Sequence, residues 1–423
     1  MPIYGMFAAP TLGMLGQESA FSSISQNLTN MNTGGYKSQA TTFKTFLGRT
    51  HGNSRDNGGL VTQTRNYIDQ QGVINSSINK LDLAIDGRGF YVMNTRSDGT
   101  GDTFYTRDGQ FEQISGPQGV DGNGNNFNEA YLADKNGNFL HGFIPAADGS
   151  INLNGAPVAI RVDQEFFDTA VQAQPAATQN ASVALNIPSI TVPGAFHEAN
   201  ASVFDADGNL EAFSIKMTRN ANPQEFNLSI IPSNGTSTTS STLTFDGTGK
   251  LPRGTTENVT IVSNTGLTTT FDLDLTNLRA IGEDFNFFGF DRDGRTKGFL
   301  KNFEFDASGR IRGNFSNGTT QTLYKLPIAI FANENGLDRK QGNLFEQSIL
   351  SGVPQLQQVN DDSPNAEDVV QFATFRPFSQ ELSNTNVQFE FSNLMITQSA
   401  YNSSAMLFKT IDEMTQTVAN LKS

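Results

Sequence analysis

The two ends of the chain carry the clearest pattern of apolar and polar positions. Between residues 11 and 33, apolar side chains recur at steps of three, four and seven residues, which predicts an amphipathic helix: Met14, Phe21, Ile24, Leu28 and Met31. Residues 392–421 predict a second such helix, whose stripe comprises Leu407, Ile411, Met414, Val418 and Leu421, with Ala400, Tyr401, Ser404 and Phe408 completing it. This spacing is typical of a coiled-coil seam.

The remaining faces of the first predicted helix are polar but almost uncharged. Glu18 is the only charged residue before Lys37. Such a helix is poorly suited to stand alone in water, because its apolar stripe gains order only when another helix covers it. We therefore expect the two ends to pack together and then against copies of the same chain. Periodicity alone does not distinguish this from a helical lid packed within one chain.

The chain from about residue 81 to residue 380 predicts mostly antiparallel β structure. Gly-containing pairs that accept the positive φ of tight hairpin turns punctuate it, at 86–87, 108–109, 136–137, 148–149, 207–208, 246–247, 293–294 and 308–309. Ser, Thr and Asn are frequent in residues 161–285, which we interpret as a second β domain inserted into the first. Near the ends, Pro10 is expected to precede the first helix, and Thr33-Gly34-Gly35 to end it.

The predicted fold class is mainly β with α-helical termini, in which nested discontinuous β domains accompany an N-/C-terminal helical coiled-coil domain. Val387, Phe389 and Phe391 alternate as in a strand, so the second helix has no clear start after Ser383. We predict four parts: a terminal helical core (1–35 and 385–423), an extended connector (36–70 and 376–384), a middle β domain (71–160 and 286–375) and an inserted outer β domain (161–285).

Composition excludes several classes of function. The 423 residues contain no Cys, which rules out disulfides, thiolate metal sites and Cys nucleophiles. The formal net charge of −14 argues against binding to nucleic acid or to anionic membranes. No apolar run approaches the roughly 20 residues of a membrane span. A standard secretory signal is not expected either, because no basic residue precedes Lys37.

No constellation predicts an enzyme, a cofactor or a metal. The three histidines, His51, His141 and His197, lie in unrelated contexts without the spacing of a metal pair. Residues 121–125 and 134–138 superficially resemble calcium loops. Their glycines do not stand where such a loop requires them, and in the first the bidentate Glu is missing as well, so turn chemistry is the better explanation.

Several motifs resemble those of flagellar rod and hook proteins. Ser25–Lys37 resembles their N-terminal signature, residues 83–92 and 104–111 resemble their shared core segment, and residues 383–387, 396–401 and 409–414 resemble their C-terminal signature. The middle of the chain selects the hook proteins within this group, through residues 202–209, 243–250, 313–318 and 329–337. Ser25-Gln26 and Leu28-Thr29 depart from the usual residues of the N-terminal signature.

The resemblance implies a structural subunit that polymerises with itself into the flagellar hook, a curved, flexible tube that acts as a universal joint between motor and filament. It implies that the terminal helices form the inner tube around the export channel, and that the chain leaves the cell through the flagellar type III export apparatus. The implied partners are further copies and the distal-rod, hook-cap and hook–filament junction proteins. The implied location is the flagellum, outside the cell after export, with no membrane insertion and no nucleic acid.

The candidate site residues are therefore assembly residues. We expect the apolar stripes of the two helices to pack on each other, and a polar group to set the bend after the first helix: Asn27, Asn30, Thr33, Gly35 and Tyr36. A further hypothesis is that the outer domain makes sliding contacts, so that deleting it leaves straight or stiff tubes. Two alternatives stay open: a distal-rod or other axial protein with an inserted domain, and an exported β-rich adhesin or hydrolase.

Overall fold

The computed structural model describes residues 6–45, 60–120, 124, 126–146, 151, 155–168, 173–233, 239–262, 267–359 and 373–421. Helices stand at both ends and strands dominate between them, so the predicted class, mainly β with α-helical termini, is confirmed. The chain divides into two compact units. Unit 1 comprises Met1–Asp163, Phe303–Arg312 and Thr322–Ser423, and unit 2 comprises Gln164–Asn302 and Gly313–Gln321. The finer division into four parts stays a prediction.

The described residues in the first half of the chain form a terminal helix followed by strands, with one short helix among them: α1 (Ala8–Thr29), β1 (Gln39–Thr45), β2 (Leu60–Asn66), β3 (Ile74–Ser76), β4 (Leu83–Gly87), β5 (Tyr91–Asn94), β6 (Thr103–Thr106), β7 (Glu112–Val120), β8 (Asn126–Ala133), β9 (Phe139–Gly142), β10 (Val158–Ala159), α2 (Gln164–Asp168), β11 (Asn180–Ile187), β12 (Phe196–Phe204) and β13 (Leu210–Arg219).

The second half continues in strands and closes with the longest helix: β14 (Glu225–Pro232), β15 (Thr239–Thr244), β16 (Thr256–Val262), β17 (Thr268–Ala280), β18 (Asn286–Arg292), β19 (Leu300–Phe305), β20 (Arg310–Phe315), β21 (Thr320–Lys325), β22 (Ile328–Ile330), a 3-10 turn (Glu334–Gly336), β23 (Asp338–Lys340), β24 (Leu344–Glu346), β25 (Gln355–Gln357), β26 (Ala373–Pro377), β27 (Ser379–Glu381) and α3 (Val387–Leu421).

Unit 1 contains a sheet in the order β23-β24-β6-β5-β9-β8-β7, with β10 paired to β9. Unit 1 also contains four separate strand pairs: β1–β2, β3–β27, β4–β26 and β22–β25. A buried cluster rich in aromatic rings includes Phe90, Tyr105, Phe331 and Phe345. Among the described residues, no helix is long and apolar enough to cross a membrane.

Unit 2 is built on two four-stranded sheets, β16-β17-β11-β18 and β12-β13-β14-β15. Its core follows from strict alternation along the strands. In β11, for example, Ala181, Val183, Leu185 and Ile187 are buried while the residues between them are more exposed. The pairing of β11 with β17 is parallel, which is an exception to the predicted antiparallel arrangement.

Among the described residues, a five-residue turn occurs at four places, beginning at Asp134, Asp205, Asp246 and Asp306. In each, the Asp Oδ1 accepts the N–H groups two and four residues later, at 2.8–3.0 Å. The fourth residue is a glycine with φ between 74° and 81°. The third copy therefore places its positive φ at 249 rather than at the predicted 246–247 pair.

This turn explains the apparent calcium loop at residues 134–138, because the carboxylate oxygen is already occupied by backbone N–H groups. The other apparent loop, at residues 121–125, lies mostly outside the described residues. In the described part of the chain, no group of three or more His, Asp or Glu residues could hold a metal ion.

Both terminal helices differ in extent from the sequence prediction. Pro10 lies inside the first turn of α1, where backbone N–H groups have no acceptor within the helix, so the missing N–H of proline costs no hydrogen bond. The helix ends at Thr29 rather than at residues 33–35. The second helix begins at Val387, five residues before the predicted 392. Asn386 Oδ1 accepts the N–H of Phe389 at 3.1 Å, so a side-chain cap overrides the strand-like alternation.

Candidate assembly site at the terminal helices

The two terminal helices pack against each other in antiparallel directions. At one end, the rings of Phe7 and Phe408 meet edge to face with centroids 5.1 Å apart. At the other end, Asn27 Nδ2 donates to Glu390 Oε1 at 2.7 Å. The helix pair within one chain therefore joins α1 to residues 390–408 of α3.

A second face of α1 packs on the β1–β2 hairpin. Gly16 lies so close to this hairpin that a Cβ there would come within 2.6 Å of the Leu60 side chain. Ser23 Oγ and Thr41 Oγ1 are hydrogen-bonded at 2.8 Å. The hairpin and α3 together cover α1 on two sides. The exposed positions of α1 include polar residues, Glu18, Ser22, Ser25 and Thr29, and also Leu15, which is 52% exposed.

Asn27 links α1, the following segment and α3. Its Nδ2 donates to Gln39 O and to Glu390 Oε1, both at 2.7 Å. Its Oδ1 accepts from Gln39 N at 3.0 Å and from the Tyr36 hydroxyl at 3.2 Å. The buried amide of Asn27 thus uses both of its donor hydrogens and both acceptor positions of its oxygen in hydrogen bonds. Burial raises the pKa of Glu390, while the bond from Asn27 works in the opposite direction.

Four of the five predicted bend residues, Asn30, Thr33, Gly35 and Tyr36, follow the end of α1, and the fifth, Asn27, lies in its last turn. Thr33 N donates to Asn30 O at 3.1 Å, and Tyr36 N donates to Thr33 O at 3.3 Å. Gly35 has a φ of 65°, and a Cβ there would lie 2.5 Å from Asp108 N. Only glycine fits this combination of positive φ and close backbone approach. The chain leaves α1 through this bend toward the β structure of unit 1.

A buried ion cluster lies directly after the bend. Lys37 Nζ contacts Glu381 Oε1 at 2.6 Å, and Arg107 Nη1 contacts Glu381 Oε2 at 3.3 Å; all three side chains are buried. Lys37 Nζ also donates to Gln70 O at 2.6 Å, and Gly72 N donates to Glu381 Oε1 at 2.8 Å. Burial lowers the pKa of Lys37 to about 8, although Glu381 favours its charged form.

We call this cluster, together with the bend and the Asn27 bonds, the terminal junction. Backbone bonds join its two chain segments as well, since Gly35 N donates to Glu381 O at 2.8 Å. Asn384 Oδ1 accepts the N–H of Ser38 at 2.7 Å. Segments more than 300 residues apart in sequence thus fix the point from which both terminal helices start.

Sequence reasoning did not single out the charged members of the terminal junction. Lys37 and Arg107 stand inside the quoted motifs, and Glu381 is the only acidic residue between Asp368 and Glu390. This isolated acidic residue was the only indication in the sequence of a special role for Glu381. Its two partners could not be identified, because pairing across the fold leaves no spacing in the sequence.

The predicted α3 stripe is mostly uncovered within one chain. Because Phe408 already lies opposite Phe7, residues 409–421 run past the first described residues of α1, so the stripe at 407–421 does not face Met14–Met31 of the same chain. Ile24 is buried, Met14, Phe21 and Leu28 are half-buried, and Met31 is exposed. On α3, Tyr401 and Phe408 are partly exposed and Ile411 is half-buried. Leu421 ends α3, and its side chain lies outside the description.

Five large apolar residues form one exposed line along α3, which we call the outer stripe: Phe389, Ile396, Leu407, Met414 and Val418. Each is 50–67% exposed. The contacts with α1 come from a different side of the helix, through Glu390 and Phe408. The outer stripe extends from Phe389 to Val418, a rise of 29 residues or about 43 Å along the helix. Exposed apolar surfaces of this extent are typical of interaction sites in proteins.

Comparison with known proteins identifies relatives along the whole chain. The flagellar hook protein FlgE of Rhizobium meliloti is 25% identical over 443 aligned residues, covering 100% of both chains. That of Brucella suis is 26% identical, also over 100% of both chains. That of Escherichia coli is 27% identical, covering 94% of this chain and 95% of the relative. No family model matches.

Among solved structures, the crystal structure of the Helicobacter pylori flagellar hook protein FlgE2 is similar with a TM-score of 0.45 and 15% identity, covering 71% of this chain and 99% of that chain. The sequence relatives confirm the resemblance inferred from the motifs at both ends and in the middle. Over its full length, this chain is similar to bacterial flagellar hook proteins.

Proposed function

We propose that this chain is the structural subunit of the flagellar hook, and that it polymerises with copies of itself through its terminal helices. Its full-length similarity to hook proteins supports the role and the location in the flagellum. The tube would act as a universal joint between motor and filament, exported through the flagellar type III apparatus. Its ends would meet distal-rod, hook-cap and hook–filament junction proteins. The role is structural, without catalysis.

The observation that carries this proposal is the outer stripe of α3. A protein that stays monomeric rarely exposes five large apolar side chains on one side of a helix, because water contact with each of them is unfavourable. The terminal junction holds the start of α3 firmly, so that the stripe is presented in a defined direction. In a tube, further copies would cover it, and the helices would gain order as they assemble.

A charge placed on the outer stripe tests this directly. Leu407→Asp puts a carboxylate in the middle of the stripe, and we expect the purified protein to fold but to lose polymerisation by sedimentation and electron microscopy. Gln398→Asp is the matched control, since it adds the same charge at an exposed position of α3 outside the stripe. Normal polymerisation by Leu407→Asp, or equal loss in both variants, would contradict the assignment of this stripe.

The assignment to the hook is tested in cells lacking this gene. We expect electron microscopy of their basal bodies to show intact rods and rings without the curved extension. Truncated rods would move the protein inward along the flagellar axis. Normal hooks and filaments would refute the proposal altogether.

The inserted outer β domain is proposed to tune bending rather than to hold the tube together. Its sequence is rich in Ser, Thr and Asn, which suits wet, polar contacts that can shift between registers at little cost. Tubes assembled without this domain should be straight or stiff in electron micrographs. If they supercoil as the complete protein does, the outer domain does not control curvature.

A further inference from the structure

The connection between β24 and β25, residues 347–354, presents three large apolar side chains to solvent, and we call it the apolar loop. Ile349 is fully exposed, and Leu350 and Val353 are 75% and 74% exposed. Residues 347–359 contain no charged side chain. Exposed apolar side chains gathered in one short, neutral connection are typical of an interaction site.

The backbone of the apolar loop is held in place by polar groups beneath it. Ser351 is fully buried, and its Oγ accepts the N–H of Ser348 at 2.9 Å. Asn333, at the start of the 3-10 turn, donates from its N to Ser351 O at 3.2 Å and from its Nδ2 to Leu350 O at 3.1 Å. Gly336 packs so closely that a Cβ there would lie 2.7 Å from the Leu350 backbone. The apolar side chains therefore stand on a fixed backbone, which lowers the entropy cost of docking them.

A groove of about 680 Å³ lies between α1 and β2, and we call it the α1–β2 groove. Leu12, Leu15, Leu60 and Val61 form its apolar end, where Leu15 and Val61 are 52% and 49% exposed. Glu18 is the only charged residue in its described lining. The volume is that of a typical binding pocket in a protein. The groove thus has the room and the chemistry to accept a neutral, apolar insert.

The apolar loop and the α1–β2 groove lie toward opposite ends of β2. Leu60, the first residue of β2, lines the groove. Just beyond the other end of the strand, Ile68 N donates to Asn335 Oδ1 at 2.8 Å, and Asn335 belongs to the 3-10 turn beside the apolar loop. The strand from Leu60 to Asn66 covers about 20 Å. Since Ile349 is fully exposed, the loop does not fill the groove of its own chain.

We propose that the apolar loop of one copy inserts into the α1–β2 groove of a second copy. This inference rests on the proposed function. When two different surfaces of one chain fit each other, the contact propagates into a ring or an open polymer, whereas a self-complementary surface closes as a pair. The contact ties the β structure of one copy to the helix and hairpin of the next, separately from the outer stripe.

The small size of the contact favours a second copy over an unrelated protein as the occupant. Burying each of the three side chains removes roughly 100 Å² of apolar surface from water. The contact is therefore far smaller than the roughly 800 Å² per partner of a stable pair of proteins. It can add to a polymer that other surfaces hold together, but it cannot recruit a separate protein alone.

The segment that precedes the groove in sequence is a poorer occupant. Residues 46–59 contain only two large apolar side chains, Phe46 and Leu47, among glycines and polar or charged residues. The apolar loop offers three such side chains within five residues and no charge. A neutral, apolar groove is better matched by the loop.

Cysteine cross-linking tests the contact, because the chain contains no Cys and each introduced thiol is unique. Polymers are assembled from equal amounts of Ile349→Cys and Val61→Cys protein and treated with a short bismaleimide, and we expect covalent dimers. The mixture of Ile78→Cys with Val61→Cys is the matched control, since Ile78 is an equally exposed isoleucine of unit 1, and it should give none. The double variant Ile349→Cys/Val61→Cys should give a ladder of multimers, because each copy then carries both halves of the contact.

Several results would overturn the inference. Dimers in polymers of Ile349→Cys alone would mean that like loops meet, and absence of dimers from the mixture with Val61→Cys would mean that the loop lies elsewhere. Dimers between Ile349→Cys and Leu407→Cys would place the loop on the outer stripe. A link within single, unpolymerised chains of the double variant would show that the groove is reached by its own loop.

A charge in the apolar loop tests whether the contact contributes to assembly. Ile349→Asp would bury a carboxylate in a groove whose one charge is Glu18, so we expect the critical concentration for polymerisation to rise roughly tenfold or more. Ile78→Asp is the matched control and should leave the critical concentration unchanged, and the free subunits of both variants should unfold at the same temperature as the wild type. Equal critical concentrations in the two variants would overturn the inference. Failure of the wild type to form any polymer would instead count against the proposed function.

Discussion

Removing Lys37, one of the two charged partners of Glu381, should have a very different effect from removing Glu381 itself. The Glu381 carboxylate is buried and contacts Lys37 at 2.6 Å and Arg107 at 3.3 Å. Glu381→Gln would leave two buried cations without their anion. Lys37→Met would leave one cation and one anion, Arg107 and Glu381, still paired.

The hydrogen bonds around Lys37 make its loss mild. Gln70 O, which accepts from Lys37, also accepts from Asn384 Nδ2 at 3.1 Å, and Glu381 Oε1 keeps the N–H of Gly72 at 2.8 Å. No buried acceptor is orphaned, so we expect Lys37→Met to change local stability by about 1 kcal/mol or less. For Glu381→Gln we expect a loss of about 3–5 kcal/mol, the usual cost of breaking a buried ion pair by removing one partner.

Hydrogen exchange of the full chain measures this difference where it arises. The N–H groups of Gly35 and Gly72 donate to Glu381 O and Oε1, and Ser38 N donates to Asn384 Oδ1. With about 1.4 kcal/mol per factor of ten, Glu381→Gln should accelerate exchange of these amides roughly 100-fold or more. Lys37→Met should accelerate it by less than about 10-fold.

Lys340→Met is the matched control, because it removes a lysine from an exposed ion pair with Glu346. Such pairs contribute little, so exchange at the terminal junction should be unchanged. Equal effects of Glu381→Gln and Lys37→Met would refute the charge argument. Slow exchange in Glu381→Gln would show that the buried cations are stabilised by other groups.

Four further outcomes follow from the same geometry. Burial lowers the folded-state pKa of Lys37 from 10.5 to about 8, so the unfolded chain binds more protons than the folded chain between pH 8 and pH 10.5. The free energy of unfolding of the terminal junction in urea should therefore rise from pH 8 toward pH 10.5 in the wild type, relative to Lys37→Met. Gly35→Ala should destabilise the terminal junction by at least about 2 kcal/mol in the same assay, because its φ is positive and a Cβ would strike the backbone. Asp306→Ala removes the acceptor of two turn N–H groups and should cost about 1–2 kcal/mol in thermal unfolding. Burial raises the pKa of Glu390, so its ionised form opposes folding at pH 7. The free energy of unfolding of Glu390→Gln, measured in urea at pH 7, should therefore equal or exceed that of the wild type, and any difference should vanish as the pH falls below the raised pKa.

Sequence periodicity predicted the two terminal helices and the β region between them, because amphipathic spacing and turn dipeptides are local properties. It misplaced the helix ends for equally local reasons. The sequence predicts that Pro10 precedes the first helix, whereas Pro10 lies inside the first turn of α1, where no N–H donor is needed. The cap by Asn386 was hidden by the alternating residues that follow it.

The terminal junction could be predicted only in part. Gly35 and Tyr36 were identified from a motif, and the structure places them at the bend. Glu381 has no local pattern, because its role depends on Lys37 and Arg107 reaching it from distant parts of the chain. A buried charge is recognisable only when its partners are known, and these belong to the tertiary fold.

The contacts that fold the helix pair and the proposed assembly surface lie on different sides of the same helix start, so we expect them to be separable by mutation. Phe389 and Glu390 are neighbours in sequence, yet the first is exposed on the outer stripe while the second is buried against Asn27. A subunit can therefore be joined along α3 without opening the terminal junction. Variants of the outer stripe such as Leu407→Asp should lose polymerisation while the junction amides keep their protection. Loss of protection in such a variant would mean that the helix pair and the polymer contact form one cooperative unit.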